Sequence, residues 1–278
     1  MNKQKIKKYL LKKDIFPDAK VSLLGRGNNS SAFLLEKDKK QYTLRVAKLK
    51  NKNLLSSYAN HYKILKFLEF SKIKFTQKAY FFDPKELVLI SEYLTGLPIT
   101  DKKLSTAQLE LIFKQLHQIH SIPFANFKKY CEKNNFAFAS PENPILNLNE
   151  FGSKPFTFLE KNCQRDELIN WIRPRLKESL RNIKAIDWSK AKTILHHGDL
   201  TGANILKNKN ALYFIDWDRG RYVHTIDYGL SYMFLHYNYF ANKSEQIIKY
   251  YAKISGLDEQ ELKQGISIKL FSTKLNDV

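Results

Sequence analysis

Between Thr193 and Asp218 the chain reads TILHHGDLTGANILKNKNALYFIDWD, and Asp199, Asn204 and Asp216 within it are the side-chain types that phosphoryl transfer asks for. One carboxylate can accept the proton of an attacking hydroxyl. A second carboxylate and an amide oxygen can hold Mg2+ against nucleotide phosphates. Each residue alone could be a turn residue or a cap. Their spacing argues for more. An apolar run leads into His197-Gly198-Asp199, Asn204 follows, and Ile205-Leu206 with Leu212 to Ile215 reads as a hairpin that delivers Asp216 at its end. Two carboxylates and a carboxamide are thus expected at the ends of short strands, facing a common cleft.

The elements that must position them read as follows. Val21 to Leu24 is a strand, Gly25 to Ser31 a turn-rich loop, and Ala32 to Glu36 and Tyr42 to Ala47 are further strands of an antiparallel meander. Tyr58 to Phe67 has helical spacing, and Ala79 to Phe82 and Leu87 to Glu92 are strands around Asp83-Pro84. Leu94 to Pro98 reads as a hinge. Beyond it the helical period prevails: Ser105 opens a helix with Leu109, Ile112, Phe113, Leu116, Ile119 and His120 on one face, and Cys163 to Ile183 is another. Residues 125–160 read as loops with short helices. The expectation is an α+β chain of two lobes. Residues 1–94 form a nucleotide-binding lobe of antiparallel sheet plus helix, and residues 95–278 form a mainly helical catalytic and substrate lobe.

At 278 residues, 43% hydrophobic and 27% charged, the composition excludes a fully disordered chain. Cys131 and Cys163 lack neighbours at metal-ligand spacing and read as inert thiols in a reducing compartment. The net charge of +20 could suit nucleic acid or an anionic membrane surface. The excess is scattered Lys accompanied by abundant Asn, Ile, Phe and Tyr, as in an AT-rich genome. No Arg-rich block or RNA-binding signature is present, which speaks against nucleic acid. The start, MNKQKIKKYLLKKDIF, lacks the apolar core of a signal peptide and instead suggests a short amphipathic helix. With no run long enough to span a bilayer, the chain reads as cytoplasmic, a monomer or dimer, with at most weak peripheral membrane contact.

The form His197-Gly198-Asp199, Asn204 and Ile215-Asp216-Trp217 resembles the kinase superfamily, in its aminoglycoside phosphotransferase and choline kinase branch. The LicA-type bacterial choline kinases look most similar. They also carry a Gly/Asn-rich loop, a strand like Tyr42-Thr43-Leu44-Arg45 and a helix like Leu116 to His120. The resemblance, over residues of about 20 to 240, implies a two-lobed protein-kinase-like fold and an ATP- and Mg2+-dependent phosphotransferase. It makes Asp199 the catalytic base and Asn204 and Asp216 the metal ligands. Arg45 becomes the phosphate-pairing cation, with Lys48 as its rival. Gly25, Gly27, Asn28, Asn29 and Ser30 would cover the triphosphate with backbone N–H groups. Glu92, Tyr93 and Leu94 would hold adenine. His120 and His197 read as structural, the latter bracing the catalytic loop. Asp227 reads as an N-cap or loop brace.

One residue type is missing. The helix after the third strand should offer a Glu to the strand cation, yet Ala59 to Leu65 contains no carboxylate. Either the register differs or Asn60 or His61 is a neutral partner; a slow or non-catalytic relative is a further reading.

For the acceptor, Trp217, Tyr222, Tyr228, Tyr232 and Tyr237 could cage a quaternary ammonium, each cation–π contact being worth roughly 0.5–2 kcal/mol, or could simply be core. Between 217 and 240 only Asp218 and Asp227 oppose Arg219 and Arg221, which suits a small singly charged amino alcohol better than a polycationic sugar. Choline leads as acceptor, with Asp199, Trp217, Asp218, Tyr222, Tyr228 and Tyr232 around it. Aminoglycosides, ethanolamine, thiamine and sugars remain alternatives, as does a nucleotide-binding pseudokinase or basic scaffold.

Overall fold

The computed structural model describes residues 2–100, 104–141, 157, 160–162, 164–185 and 191–276. The chain's first helix, α1 (Lys3–Lys12), is capped by the Asn2 side chain, which accepts from the Lys5 N–H. It leads into β1 (Lys20–Arg26), β2 (Ser30–Lys37) and β3 (Lys40–Ala47). Helix α2 (Lys52–Phe70) follows, then β4 (Ala79–Asp83) and β5 (Val88–Glu92). These five strands form one antiparallel sheet in the order β1-β2-β3-β5-β4.

Side chains alternate across β3, so Leu44 and Val46 face one way and Arg45 the other. Leu44 and Val46 join Val21, Leu35, Val88 and Ile90 in a core closed by Ile6, Tyr9 and Leu10 of α1. The opposite face of β3 presents Arg45 to α2. That helix begins earlier than the expected Tyr58 because Asn51 caps it, accepting from the Leu54 N–H at 2.9 Å.

Strand β6 (Leu97–Pro98) lies within the expected hinge. Next come α3 (Thr106–His120), α4 (Phe124–Lys133), α5 (Asp166–Ala185) and β7 (Lys192–His196). A capping box between Ser105 and Gln108 opens α3, and every residue expected on its apolar face is buried. Cys131 is a buried thiol, whereas Cys163 and most of the 142–160 segment lie outside the described residues. The hairpin β8 (Ile205–Asn208) and β9 (Ala211–Phe214) forms a three-stranded sheet with β6.

Strand β10 (Arg221–Thr225) was not apparent in the sequence, because its alternation is weak and its partner is distant. It pairs antiparallel with β7, Tyr222 opposite Leu195. Helices α6 (Leu230–His236), α7 (Asn238–Ala241), α8 (Ser244–Ser255) and α9 (Glu259–Asn276) complete the chain.

The chain divides into two compact units, residues 1–99 with 197–220, and residues 100–196 with 221–278. In the first, the Asp199–Asp216 segment packs with the N-terminal sheet and α2: Phe214 N–H donates to Phe75 O at 2.9 Å and the two rings meet edge-on. The second is built on α3, α8 and the β7–β10 ribbon. Among the described residues, no helix is long and apolar enough to cross a membrane.

Candidate active site

Beyond β7 the backbone turns at Gly198, whose φ is +82°. A Cβ there would run into the Arg219 carbonyl, so glycine is required. His197, fully buried, organises the turn. Its Nδ1 accepts from the Asp199 N–H at 3.3 Å, which puts the ring proton on Nε2, and Nε2–H donates to Ile215 O at 2.8 Å. The imidazole packs against the Trp217 ring at a tilt of 49°, the centroids 4.3 Å apart. Burial lowers its pKa to about 4, so it is a neutral brace at physiological pH.

Asn204 closes the circuit. Its Nδ2 donates to Asp199 O at 2.7 Å and Asp199 Oδ2 at 3.3 Å, and its carbonyl accepts from the Ile215 N–H at 3.0 Å. A continuous set of hydrogen bonds therefore links Asp199, Asn204, Ile215 and His197 immediately before Asp216. Asp216 has left-handed backbone geometry, φ 65° and ψ 58°, a conformation that Asp tolerates better than most residues and that recurs at functional sites.

Arg45 reaches Asp216 from β3. Its NH1 lies 2.6 Å from Asp216 Oδ1 and 3.3 Å from His61 Nδ1, and its guanidinium sits over the Tyr58 ring. An arginine only donates, so His61 Nδ1 accepts and the imidazole is neutral. Burial and the neighbouring guanidinium lower the His61 pKa to about 3. For Arg45 burial works against the charge, but Asp216 outweighs it and the pKa rises. Burial likewise opposes ionisation of Asp216, and Arg45 overcomes it to hold the carboxyl below the usual range.

Where a helix carboxylate was expected, His61 stands beside Arg45. Asn60 has a different task, donating to Asp218 O at 3.0 Å and Gly220 O at 2.8 Å, while Ser57 Oγ donates to Asp218 Oδ2 at 3.0 Å. Ser57, Asn60 and His61 occupy one helix face by their i, i+3, i+4 spacing. Sequence reasoning offered Asn60 and His61 as alternatives and did not single out Ser57. Asp218 is pushed up by burial and by Asp216.

The other expected site residues fall as follows. Gly27 N–H donates to Ser30 O at 2.9 Å, making the Gly25–Ser30 loop a hairpin turn, and neither Gly25 nor Gly27 needs a positive φ. Asn28 and Asn29 are exposed on it. Lys48 is exposed past the end of β3. At the expected adenine segment, Glu92 N–H donates to Lys78 O, Gln77 Nε2 donates to Glu92 O, and Tyr93 N–H donates to Gln41 O.

Trp217 is fully buried, its indole N–H donating to Phe214 O. In the second unit Tyr222 is core: its hydroxyl donates to Ile122 O at 3.0 Å and its ring meets Phe124 and Phe127. Tyr228 and Tyr237 are buried, whereas Tyr232 is half-buried and contacts His236. His120 is buried with Nδ1 against the Tyr251 hydroxyl. Asp227 is a loop brace, accepting from the hydroxyls of Thr225 and Ser231; Gly229, not Asp227, caps α6.

A Mg2+ ion fits the donor set. With Nδ2 turned to Asp199, Asn204 offers Oδ1, and Asp216 offers a carboxylate; both are hard oxygen donors. Among the described residues no group of three His, Cys, Asp or Glu could cage a metal unaided.

Residues 20–252 match the model of the phosphotransferase enzyme family. The chain belongs to that family. No curated protein sequence matches it significantly. Solved structures of similar fold include APH(2")-IIia bound to GDP and kanamycin (13% identity, TM-score 0.69, covering 98% of this chain and 90% of that one). The Plasmodium vivax ethanolamine kinase is similar at 17% identity and TM-score 0.65, over 99% and 82% of the two chains. The Cryptosporidium parvum choline kinase is similar at 14% and 0.58, over 99% and 87%. The fold is protein-kinase-like, with an antiparallel N-terminal sheet and a largely helical remainder, as the sequence led us to expect.

Proposed function

We propose that this phosphotransferase moves the γ-phosphoryl group of ATP to the hydroxyl of a small alcohol, with choline the favoured acceptor. The observation that carries the reading is the hydrogen-bonded circuit that ties Asp199, Asn204 and the residue before Asp216 together beside Arg45. Asp199 accepts the acceptor's hydroxyl proton. Asn204 and Asp216 hold Mg2+, which when bound neutralises charge on the transferring phosphates. Arg45 pairs with the phosphates, and Gly25, Gly27, Asn28, Asn29 and Ser30 cover them. Adenine is assigned to Glu92–Leu94, with Leu94 as N–H donor because the two preceding N–H groups donate within the protein. In this reading residues 1–94 serve the nucleotide, and 95–278 serve catalysis and the acceptor.

A singly charged acceptor is supported by the state of the local carboxylates. Asp227 is buried between Thr225 and Ser231, and Asp218 takes the Ser57 hydroxyl, so neither is set out for a polycation. Of the aromatic candidates, Trp217, Tyr222 and Tyr228 are buried, and the half-buried Tyr232 is the one retained as an acceptor contact.

The test is ADP release from MgATP with choline, ethanolamine, thiamine, kanamycin, a simple sugar or no acceptor. Choline should stimulate turnover, and Asp199→Asn should abolish it while nucleotide still binds. Stimulation by another acceptor replaces the substrate and keeps the mechanism. Binding of nucleotide without stimulation by any acceptor would count for the pseudokinase alternative.

A further inference from the structure

The helix position that faces the strand cation holds His61, and the consequence lies in where Arg45 finds its countercharge. Arg45 NH1 is 2.6 Å from Asp216 Oδ1, and Asp216 is also the carboxylate assigned to the metal. His61 Nδ1 lies 3.3 Å from the same NH1 and 3.8 Å from the same Oδ1. It accepts from the guanidinium without bringing a charge, and its Nε2 is buried with no hydrogen-bond partner among the described residues. One negative group therefore serves two prospective ligand contacts. A divalent cation arriving alone at Asp216 meets the unneutralised charge of Arg45, and a polyphosphate arriving alone at Arg45 meets the charge of Asp216. Arriving together, cation and phosphate each relieve the other's penalty.

We propose that His61 is a positioning residue which holds Arg45 through an uncharged acceptor, so that the Arg45–Asp216 pair makes nucleotide and divalent-cation binding mutually dependent. The inference rests on the kinase reading. A carboxylate at position 61 would instead give Arg45 a second anion, letting it stay paired when the cation takes Asp216, and would weaken the dependence.

The experiment is calorimetric binding of ATP to the full chain, in EDTA and in saturating Mg2+, for wild type, His61→Gln, His61→Glu and Asp216→Asn. The affinity of Mg2+ for free ATP is common to all four and cancels when the EDTA-to-Mg2+ ratio of Kd values is compared. The ratio should fall about fivefold or more in His61→Glu and stay within about twofold of wild type in His61→Gln. Asp216→Asn should bind ATP in EDTA about threefold more tightly than wild type, because Arg45 then no longer has to leave its paired carboxylate. A merely structural role for His61 predicts none of this pattern. Equal ratios in wild type and His61→Glu, with ATP binding intact, overturn the inference and leave the kinase reading standing. So does weaker ATP binding by Asp216→Asn in EDTA, which decides the matter if melting shows that His61→Glu does not fold. Absence of ATP binding to wild type in both media overturns both.

Discussion

Asp83, at the end of β4, takes contacts from four donors, and its removal should be read through pH. Its oxygens accept from the Tyr9 hydroxyl at 2.8 Å, Lys13 Nζ at 2.9 Å and the backbone N–H groups of Lys85 and Glu86 at 2.9 and 3.2 Å. Burial alone would raise its pKa, since the residue is only 4% exposed. The hydrogen bonds from Lys13, Tyr9 and the backbone outweigh burial and bring it from 3.8 to about 2. A depressed carboxylate contributes stability that is fully present above the unfolded-state pKa and is lost as pH falls through the folded one. At 1.36 kcal/mol per pH unit the contribution is about 2 kcal/mol at pH 6, roughly half that at pH 3, and little at pH 2. Asp83→Asn keeps the shape and mimics the protonated state. Urea unfolding of wild type and variant from pH 6 down to pH 2.5 should therefore give curves that start about 2 kcal/mol apart and converge as the solution becomes acidic. Titration of every other carboxylate cancels in the difference. A gap that stays constant with pH would refute the ion-pair reasoning and leave only a packing effect. The same contacts fasten α1 over the core that carries β3, so Arg45 should be less well placed in the variant as well.

The hydrogen bonds around the catalytic candidates give two further expectations. His197→Phe keeps a ring against Trp217 but removes the bonds to Asp199 and Ile215, and kcat should fall about 100-fold with little change in nucleotide Kd; steady-state kinetics with isothermal binding checks this. Asn60→Ala removes two bonds to the carbonyls of Asp218 and Gly220, each worth about 1 kcal/mol, so urea unfolding should report a loss of about 2 kcal/mol.

What could be read from the sequence was local. The strands of the N-terminal sheet, the apolar face of α3 and the hairpin before Asp216 all come from residues whose neighbours in the chain are also their neighbours in space. The pairing of β10 with β7 and the tasks of Ser57, Asn60 and His61 depend on elements distant in sequence. Ser57 and Asp218 are 161 residues apart, and no local period reports the rotation of α2 against the 217–220 turn. Glycine's role divides in the same way. Gly198 is demanded by the carbonyl of Arg219, a contact invisible in the string, whereas Gly25 and Gly27 sit in backbone that other residues could adopt.

The missing carboxylate at position 61 bears most on function, because it separates two tasks that a helix Glu would combine. A Glu would both hold the strand cation and neutralise it. In this chain Asn60 and Ser57 fasten α2 to the 217–220 turn through hydrogen bonds and without an ion pair, and His61 orients Arg45. The carboxylate paired with Arg45 is Asp216. The placement of α2 therefore does not require a Lys–Glu or Arg–Glu ion pair, and the absence of that Glu is no argument for a dead enzyme. Under the proposed function, the charge balance of the site is instead tied to whatever binds at Asp216, so a divalent cation there should govern how tightly the phosphates are held.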